Sequence, residues 1–328
     1  MAVGEFDLIG RWFQRPQDRR RDRVDLGVGD DCALLSVQAG EQWAVSTDTL
    51  VEGRHFVSTV PPEALGHKAL AVNLSDLAAC GAQPRAFTLA LTLPRVDPDW
   101  LDGFARGLFA LADAHGVVLA GGDTTAGPLA LGLTVMGTVP AGQALRRDGA
   151  QAGDDLWVSH PSHGGLGDAR LALEVWRDRA AVATAHWETV RRAMERPQPR
   201  VALGLALRGL AHSAIDLSDG LWGDLGHVLK ASGLGVQLDL DAVPRSAALA
   251  AQGPSMQSTC LLWGGDDYEL LFSAPPSRRE AVAALAGPLG LGLSRIGQLT
   301  AAPEREVWAQ GQRLALTGRG FDHFAPET

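Results

Sequence analysis

Ser213-Ala214-Ile215-Asp216-Leu217-Ser218-Asp219-Gly220 decides how this chain is read. An apolar strand pattern over 213–217 runs into an acidic turn, and a helix follows over 220–230. The first half repeats the arrangement. A short buried strand, 117–120, feeds Gly121-Gly122-Asp123, and a strand over 43–47 places Asp48 at its end. Strands alternating with long helices in both halves predict an α/β or α+β fold.

Phe6, Ile9 and Phe13 fall at helical spacing. Pro61-Pro62-Glu63 starts a helix, with proline in the first turn and an acid near the positive dipole end. That helix runs to Cys80 and stops at Gly81. A strand over 86–93, a helix ending by Gly116 and a long strand over 129–139 complete the first half. The cluster of Arg, Asp and Gly over 146–153 marks a boundary, giving domains 1–147 and 148–328. The second half opens with a strand over 156–159. The glycine-rich loop His163-Gly164-Gly165-Leu166-Gly167-Asp168 then leads into a helical region that continues to Met194. Pro197-Gln198-Pro199 breaks it, and 200–211 is helical again. Further strands are expected over 236–240, 268–272 and 293–299.

The chain has 328 residues and is 46% hydrophobic, too long for one comfortable core, so two domains are expected. A formal net charge of −9 argues against nucleic acid as a partner. Arg19-Arg20-Arg21-Asp22-Arg23 is short, lacks interleaved aromatics and reads as a solvated loop. Cys32, Cys80 and Cys260 are scattered and odd in number, which fits a reducing cytoplasm better than a disulfide framework or zinc site. The N-terminus lacks signal-peptide character, and no apolar run reaches the ~20 residues of a membrane span.

Five acid-bearing stretches carry the chemistry: Gly29-Asp30-Asp31, Ser46-Thr47-Asp48-Thr49, Asn73-Leu74-Ser75-Asp76, Gly121-Gly122-Asp123-Thr124 and Asp216-Leu217-Ser218-Asp219-Gly220. Gathered carboxylates repel one another and need a cation. Mg²⁺ takes hard oxygen ligands and recruits phosphates as the others. The chain has no Gly-x-x-x-x-Gly-Lys-Ser/Thr loop, and its two lysines, Lys68 and Lys230, lie outside glycine-rich loops. Metal ions and arginines would therefore neutralise any phosphate it handles.

Each stretch also has a plainer explanation. Glycine with aspartate is ordinary turn chemistry. Ser46 to Thr49 reads equally as a strand end with a helix cap. Ser218 or Asp219 caps a helix as readily as it holds a metal. The loop 164–167 is either a phosphate cradle or an ordinary connection. His55 reads as a surface histidine or a ligand, and Arg147 either pairs with Asp148 or contacts a phosphate. Asp76 is different: aspartate inside a mostly apolar helix needs a partner.

The order of these stretches resembles the thiamine-monophosphate kinase family of the aminoimidazole ribonucleotide synthetase superfamily. The likeness includes Ser46-Thr-Asp-Thr-Leu-Val-Glu-Gly-Arg-His55-Phe, His67-Lys-Ala-Leu-Ala-Val-Asn-Leu-Ser-Asp76, Gly121-Gly-Asp-Thr-Thr125, Arg196-Pro-Gln-Pro-Arg200 and Ile215-Asp-Leu-Ser-Asp-Gly220. It implies two α/β domains. The first would bind ATP and Mg²⁺ and form a homodimer through its mixed sheet, and the second would complete the nucleotide and substrate site. The implied reaction moves the ATP γ-phosphate onto thiamine monophosphate, giving thiamine diphosphate. By the same resemblance Asp31, Ser46, Thr47, Asp48, Asp76, Asp123, Asp216 and Asp219 hold several Mg²⁺ ions, with Asp48, Asp76 and Asp123 at the catalytic centre. Gly122, Asp123, Arg147 and Ser218 contact ATP, and His55, Asp266 and Phe321 contact thiamine monophosphate. The chain departs from the family pattern in three places. Asp266 stands where Glu is usual, Ala126 replaces a basic residue, and the loop 161–167 is richer in His and Gly. The alternatives are another enzyme of this superfamily and a non-catalytic acidic metal-binding protein.

Overall fold

The computed structural model describes residues 5–18, 23–28 and 32–316. The chain divides into two compact units. One comprises the described residues up to Leu77 together with Ala82–Ala144; the other comprises Ala78–Gly81 and the described residues from Leu145 onward. Arg147, the last residue of the expected first domain, falls in the second unit.

The first unit opens with α1 (Glu5–Leu8), which continues as a π turn over Ile9–Phe13. Short strands β1 (Val24–Leu26) and β2 (Leu34–Leu35) pair with each other. The main sheet is built from β3 (Glu41–Val51), β4 (Gln83–Leu93), β5 (Val118–Ala126) and β6 (Ala130–Pro140), in the order β3-β6-β4-β5. It is mixed: β6 runs antiparallel to β3 and β4, while β4 and β5 are parallel and joined by a helix, as a parallel crossover requires. The helices are α2 (Pro62–Ala79) and α3 (Pro98–His115). They cross closely, because a Cβ on Gly66 would strike the Phe104 carbonyl and one on Gly107 would strike that of Glu63.

Strand alternation gives this sheet two unlike faces. Leu131, Leu133 and Val135 of β6 and Phe87, Leu89 and Leu91 of β4 are buried on one face. Registered beside them on β3 are Leu50, Asp48 and Ser46. The other face carries Val45, Thr47, Thr49 and Val51, and Val45 is 61% exposed.

Two expectations change here. Asp48 lies within an eleven-residue strand, three residues before its end. Gly121-Gly122-Asp123 is not a turn after a strand but the middle of β5. A register shift between Phe87 and Thr88 on β4 lets the pairing continue through Asp123 to Ala126. Gly122 has φ +154°, and a Cβ there would collide with the Leu89 carbonyl, so only glycine carries the strand past this point.

The second unit holds β7 (Asp155–Pro161), α4 (Asp168–Trp176), α5 (Thr184–Glu195), α6 (Val201–Leu207), β8 (Ser213–Asp216), α7 (Leu221–Ser232), β9 (Gly235–Asp239), α8 (Ala247–Ala250), α9 (Pro254–Trp263), β10 (Leu270–Ala274), β11 (Leu291–Thr300), β12 (Arg305–Ala309) and β13 (Gln312–Leu314). Its seven-stranded sheet has the order β13-β12-β9-β11-β7-β10-β8. Among the described strands of this sheet, only β12 and β9 pair in parallel. Leu156, Val158, Ile215, Leu238, Leu271 and Ile296 join Leu225, Leu229 and Leu261 in one core. The expected helical region up to Met194 is two helices, α4 and α5, with a break over 177–183.

Candidate functional site

On the first unit, β3 and α2 bring four expected polar residues together. The Ser46 hydroxyl donates to Asp76 Oδ2 at 2.5 Å. The Asp48 backbone N–H donates to Asn73 Oδ1 at 3.1 Å, and Asn73 Nδ2 donates to the Ala69 carbonyl. Asn73 and Asp76 are three residues apart and share one face of α2. Ser46 supplies the partner that Asp76 needed.

Thr47 and Asp123 belong to the opposite face of the same sheet. Thr47 Oγ1 lies 2.8 Å from Thr134 Oγ1. Asp123 registers with Ala90, which registers with Gly132 and so with Thr49. Two strands separate β3 from β5, which puts Asp48 and Asp123 roughly 14 Å apart at ordinary strand spacing. One chain therefore does not gather all the expected acids of this unit. His55 lies just beyond β3, where its Nδ1 accepts the Val51 N–H at 3.0 Å, leaving the proton on Nε2 when the ring is neutral. Asp31 lies outside the described residues.

On the second unit, the turn after β8 is built around a residue the sequence reading passed over. Asp224 is buried in the first turns of α7, and its Oδ2 accepts the N–H groups of both Asp219 and Gly220 at 3.1 Å. The N-cap of α7 is Gly220 at φ +107°, not Ser218 or Asp219. Burial pushes the Asp224 carboxyl up to about 8, helped by the charges of Asp216 and Asp219. An acid four residues after the turn was its only signal, and that looks the same as a solvated helix acid.

Gly264-Gly265-Asp266-Asp267-Tyr268-Glu269 is zipped to the same turn. Asp266 N–H donates to the Ser218 carbonyl at 3.0 Å, Tyr268 N–H to that of Leu217 at 2.8 Å, and Leu217 N–H to that of Glu269 at 2.9 Å. Asp266 at φ +62° and Tyr268 at φ +50° are left-handed non-glycine residues, each costing about 1–2 kcal/mol. Strain of this kind clusters where function over-determines the backbone. The Tyr268 hydroxyl donates to Asp266 Oδ1 at 3.1 Å. Glu269, buried, takes both a bidentate bond from Arg200 and the Ser159 hydroxyl. Arg200 closes the Arg-Pro-Gln-Pro-Arg stretch, so that motif serves this loop.

Arg147 is exposed and starts a 3₁₀ turn whose carbonyl accepts the Ser232 hydroxyl. The ion pair with Asp148 is made by Arg146 instead. The glycine-rich loop 164–167 is packed rather than open. A Cβ on Gly165 would collide with Pro244 and Arg245, and the Gly167 N–H is taken by Asp267 Oδ1 at 2.9 Å. Phe321 lies outside the described residues.

Among the described residues, no three His, Cys, Asp or Glu side chains converge as a ready metal cage. Mg²⁺ does not require one, since it usually keeps waters and phosphates beside one or two carboxylates. The hard oxygens of Ser46, Asp48 and Asp76, and those of Asp216 and Asp219, suit it. The upward push of Asp216 and Asp219 on Asp224 marks negative charge that a cation would relieve.

The family model for the N-terminal domain of AIR synthase related proteins matches residues 29–139, and that for the C-terminal domain matches residues 151–310. The chain is 47% identical over 332 residues to the thiamine-monophosphate kinase of Salmonella typhimurium, covering 99% of each. It resembles the crystal structure of the thiamine-monophosphate kinase from Stenotrophomonas maltophilia K279a with a TM-score of 0.85 and 48% identity, over 96% of this chain and 99% of that one. It also resembles AaThiL complexed with AMPPCP and TMP, with a TM-score of 0.75 and 27% identity over 90% and 92% of the two chains.

Proposed function

Since the chain belongs to the thiamine-monophosphate kinase family, within the AIR synthase related proteins, we propose how its residues carry that activity. It is a phosphotransferase that uses ATP to convert thiamine monophosphate to thiamine diphosphate. Ser46, Asp48, Asp76 and Asp123 on the first unit, with Asp31 and Thr47, and Asp216 and Asp219 on the second, are the proposed Mg²⁺ ligands. Bound Mg²⁺ would neutralise the phosphate charge that builds up during transfer. Gly122, Arg147 and Ser218 are assigned to ATP, and His55, Asp266 and Phe321 to thiamine monophosphate.

Phosphoryl transfer needs positioning and charge neutralisation more than covalent chemistry. The acceptor is already a phosphate, ionised near neutral pH, so no general base is called for. In-line attack by its oxygen on the γ-phosphate accounts for a site rich in fixed acids. The observation carrying this reading is the hydrogen bond from Asp266 N–H to the Ser218 carbonyl. It ties the residue assigned to the acceptor directly to the one assigned to the donor. His55 is held from its Nδ1 side, which fixes the orientation of the ring assigned to thiamine monophosphate.

The chain is proposed to act as a cytoplasmic homodimer. The open face of the first sheet carries exposed Val45 and Val51 as well as Asp123, and covering it with a second copy would bury apolar surface beside that acid. Light scattering that gave a monomer would remove the dimer. For the activity, the protein should be incubated with ATP, Mg²⁺ and thiamine monophosphate and the products weighed by mass spectrometry. Thiamine diphosphate should form and should require Mg²⁺; binding of Mg²⁺ without consumption of ATP would favour a non-catalytic metal-binding protein.

A further inference from the structure

The glycine-rich loop before α4 and the loop 264–269 are joined by one side chain. Asp267 Oδ1 accepts the Gly167 N–H at 2.9 Å, a hundred residues away in sequence. Gly167 is the N-cap of α4, where backbone donors and the helix dipole attract an anion. Asp267 fills that position from within the chain. The donor is itself fixed: Gly167 has φ +81°, and a Cβ there would lie 2.9 Å from the Cys260 carbonyl group.

Asp267 also sits between the two left-handed non-glycine residues, Asp266 and Tyr268. Such a pair persists only where its surroundings hold it. On either side the loop is tied by backbone bonds to Leu217 and Ser218. Those ties hold the N–H groups of the two flanking residues, and the Gly167 bond holds the residue between them.

We propose that Asp267 is a positioning residue for the phosphate acceptor: anchored to the start of α4, it holds Asp266 in the left-handed conformation from which its carboxylate meets thiamine monophosphate. This rests on the proposed function above. Without the anchor, Asp266 and Tyr268 relax towards ordinary φ, and the Tyr268 hydroxyl bond that orients the Asp266 carboxylate is lost. Burial raises the Asp267 carboxyl well above the ordinary carboxylate range; the Gly167 bond opposes the shift and the charges of Glu269, Asp168 and Asp266 add to it. A neutral carboxyl accepts through its carbonyl oxygen, and an Asn amide of the same shape accepts equally well.

The test compares Asp267→Asn with Asp267→Ala in the full chain, reading KM for each substrate and binding of thiamine monophosphate alone by calorimetry. Asp267→Asn should keep the thiamine monophosphate KM within about 3-fold of the unaltered chain, whereas Asp267→Ala should raise it about 10-fold or more, with the ATP KM within about 2-fold. Calorimetric affinity for thiamine monophosphate should weaken by the same factor. Equal losses in Asn and Ala variants, equal rises in both KM values, or unchanged binding in the Ala variant would each overturn the proposal. Where Asp267→Ala fails to fold, Asp267→Ser, too short to reach Gly167, takes its place with the same expected outcomes. Unaltered protein that binds no thiamine monophosphate would overturn the proposed function itself; a binding protein whose Ala variant binds equally well overturns only the role of Asp267.

Discussion

Asp48 and Asp123 are given the same duty from unlike surroundings. Asp48 has its backbone pinned to Asn73 on the covered face of the sheet, and Asp123 is exposed on the open one. Changing either to Asn keeps the shape and removes the charge that the proposed Mg²⁺ at the transferred phosphate would need. Turnover should fall by about 10²-fold or more in each variant while the melting temperature moves little. Near-normal turnover in Asp123→Asn would remove that residue from the site. What the sequence disclosed at this scale follows from chemistry that is local. Asp76 stood out because an acid in an apolar helix needs a partner, and Ser46 provides it. Asp224 and the Arg200–Glu269 pair did not stand out, because their meaning lies in burial and in partners far along the chain. The Asn-or-Ala comparison at Asp267 belongs to the same class of hidden long-range contact.

At the scale of elements, long strands and helices were legible from period and caps, and so were the ends of α2 and α3 before Gly81 and Gly116; the ends of β3 and β5 were not. Gly121-Gly122-Asp123 has the composition of a turn, yet β4 offers it a partner strand and a register shift that accommodates it. Sequence alone carries no sign of that partner. The glycine-rich loop before α4 reads as a phosphate cradle or an ordinary connection, and its Gly167 N–H is taken from inside by Asp267. Its last contact gives a test by pH. Asp168, the first residue of α4, is buried and accepts the Ser246 hydroxyl at 2.5 Å, while Ser246 Oγ accepts the Leu249 N–H at the start of α8. Burial pushes its carboxyl up from 3.8 to about 6, against the Ser246 bond and the charge of His186. The folded state thus binds the proton more tightly than the unfolded chain. The stability it contributes is complete below pH ~4 and is lost as pH rises through about 6. The loss is about 3 kcal/mol at most, from the size of the shift. In denaturant titrations at pH 4.5 and pH 7, Asp168→Asn should lose less stability between the two than the unaltered chain. Parallel losses would show that Asp168 is ionised with the same ease folded and unfolded.

For the whole molecule, the sequence told the number of units and their mixed character from length and alternation. It told neither the sheet orders nor that the acids of the first unit divide between two faces, since strand order depends on pairings between distant segments. Among the described residues no helix is long and apolar enough to cross a membrane. By the proposed function, the γ-phosphate of ATP passes directly to the phosphate of thiamine monophosphate, with no residue of the chain phosphorylated on the way. A single-turnover reaction with ATP labelled in its γ-phosphate, quenched and separated into protein and small molecules, tests it most directly. The label should appear in thiamine diphosphate at the rate at which ATP disappears, with none on the protein at any time. Label that accumulates on the protein first, or is released as free phosphate without entering thiamine diphosphate, would contradict it.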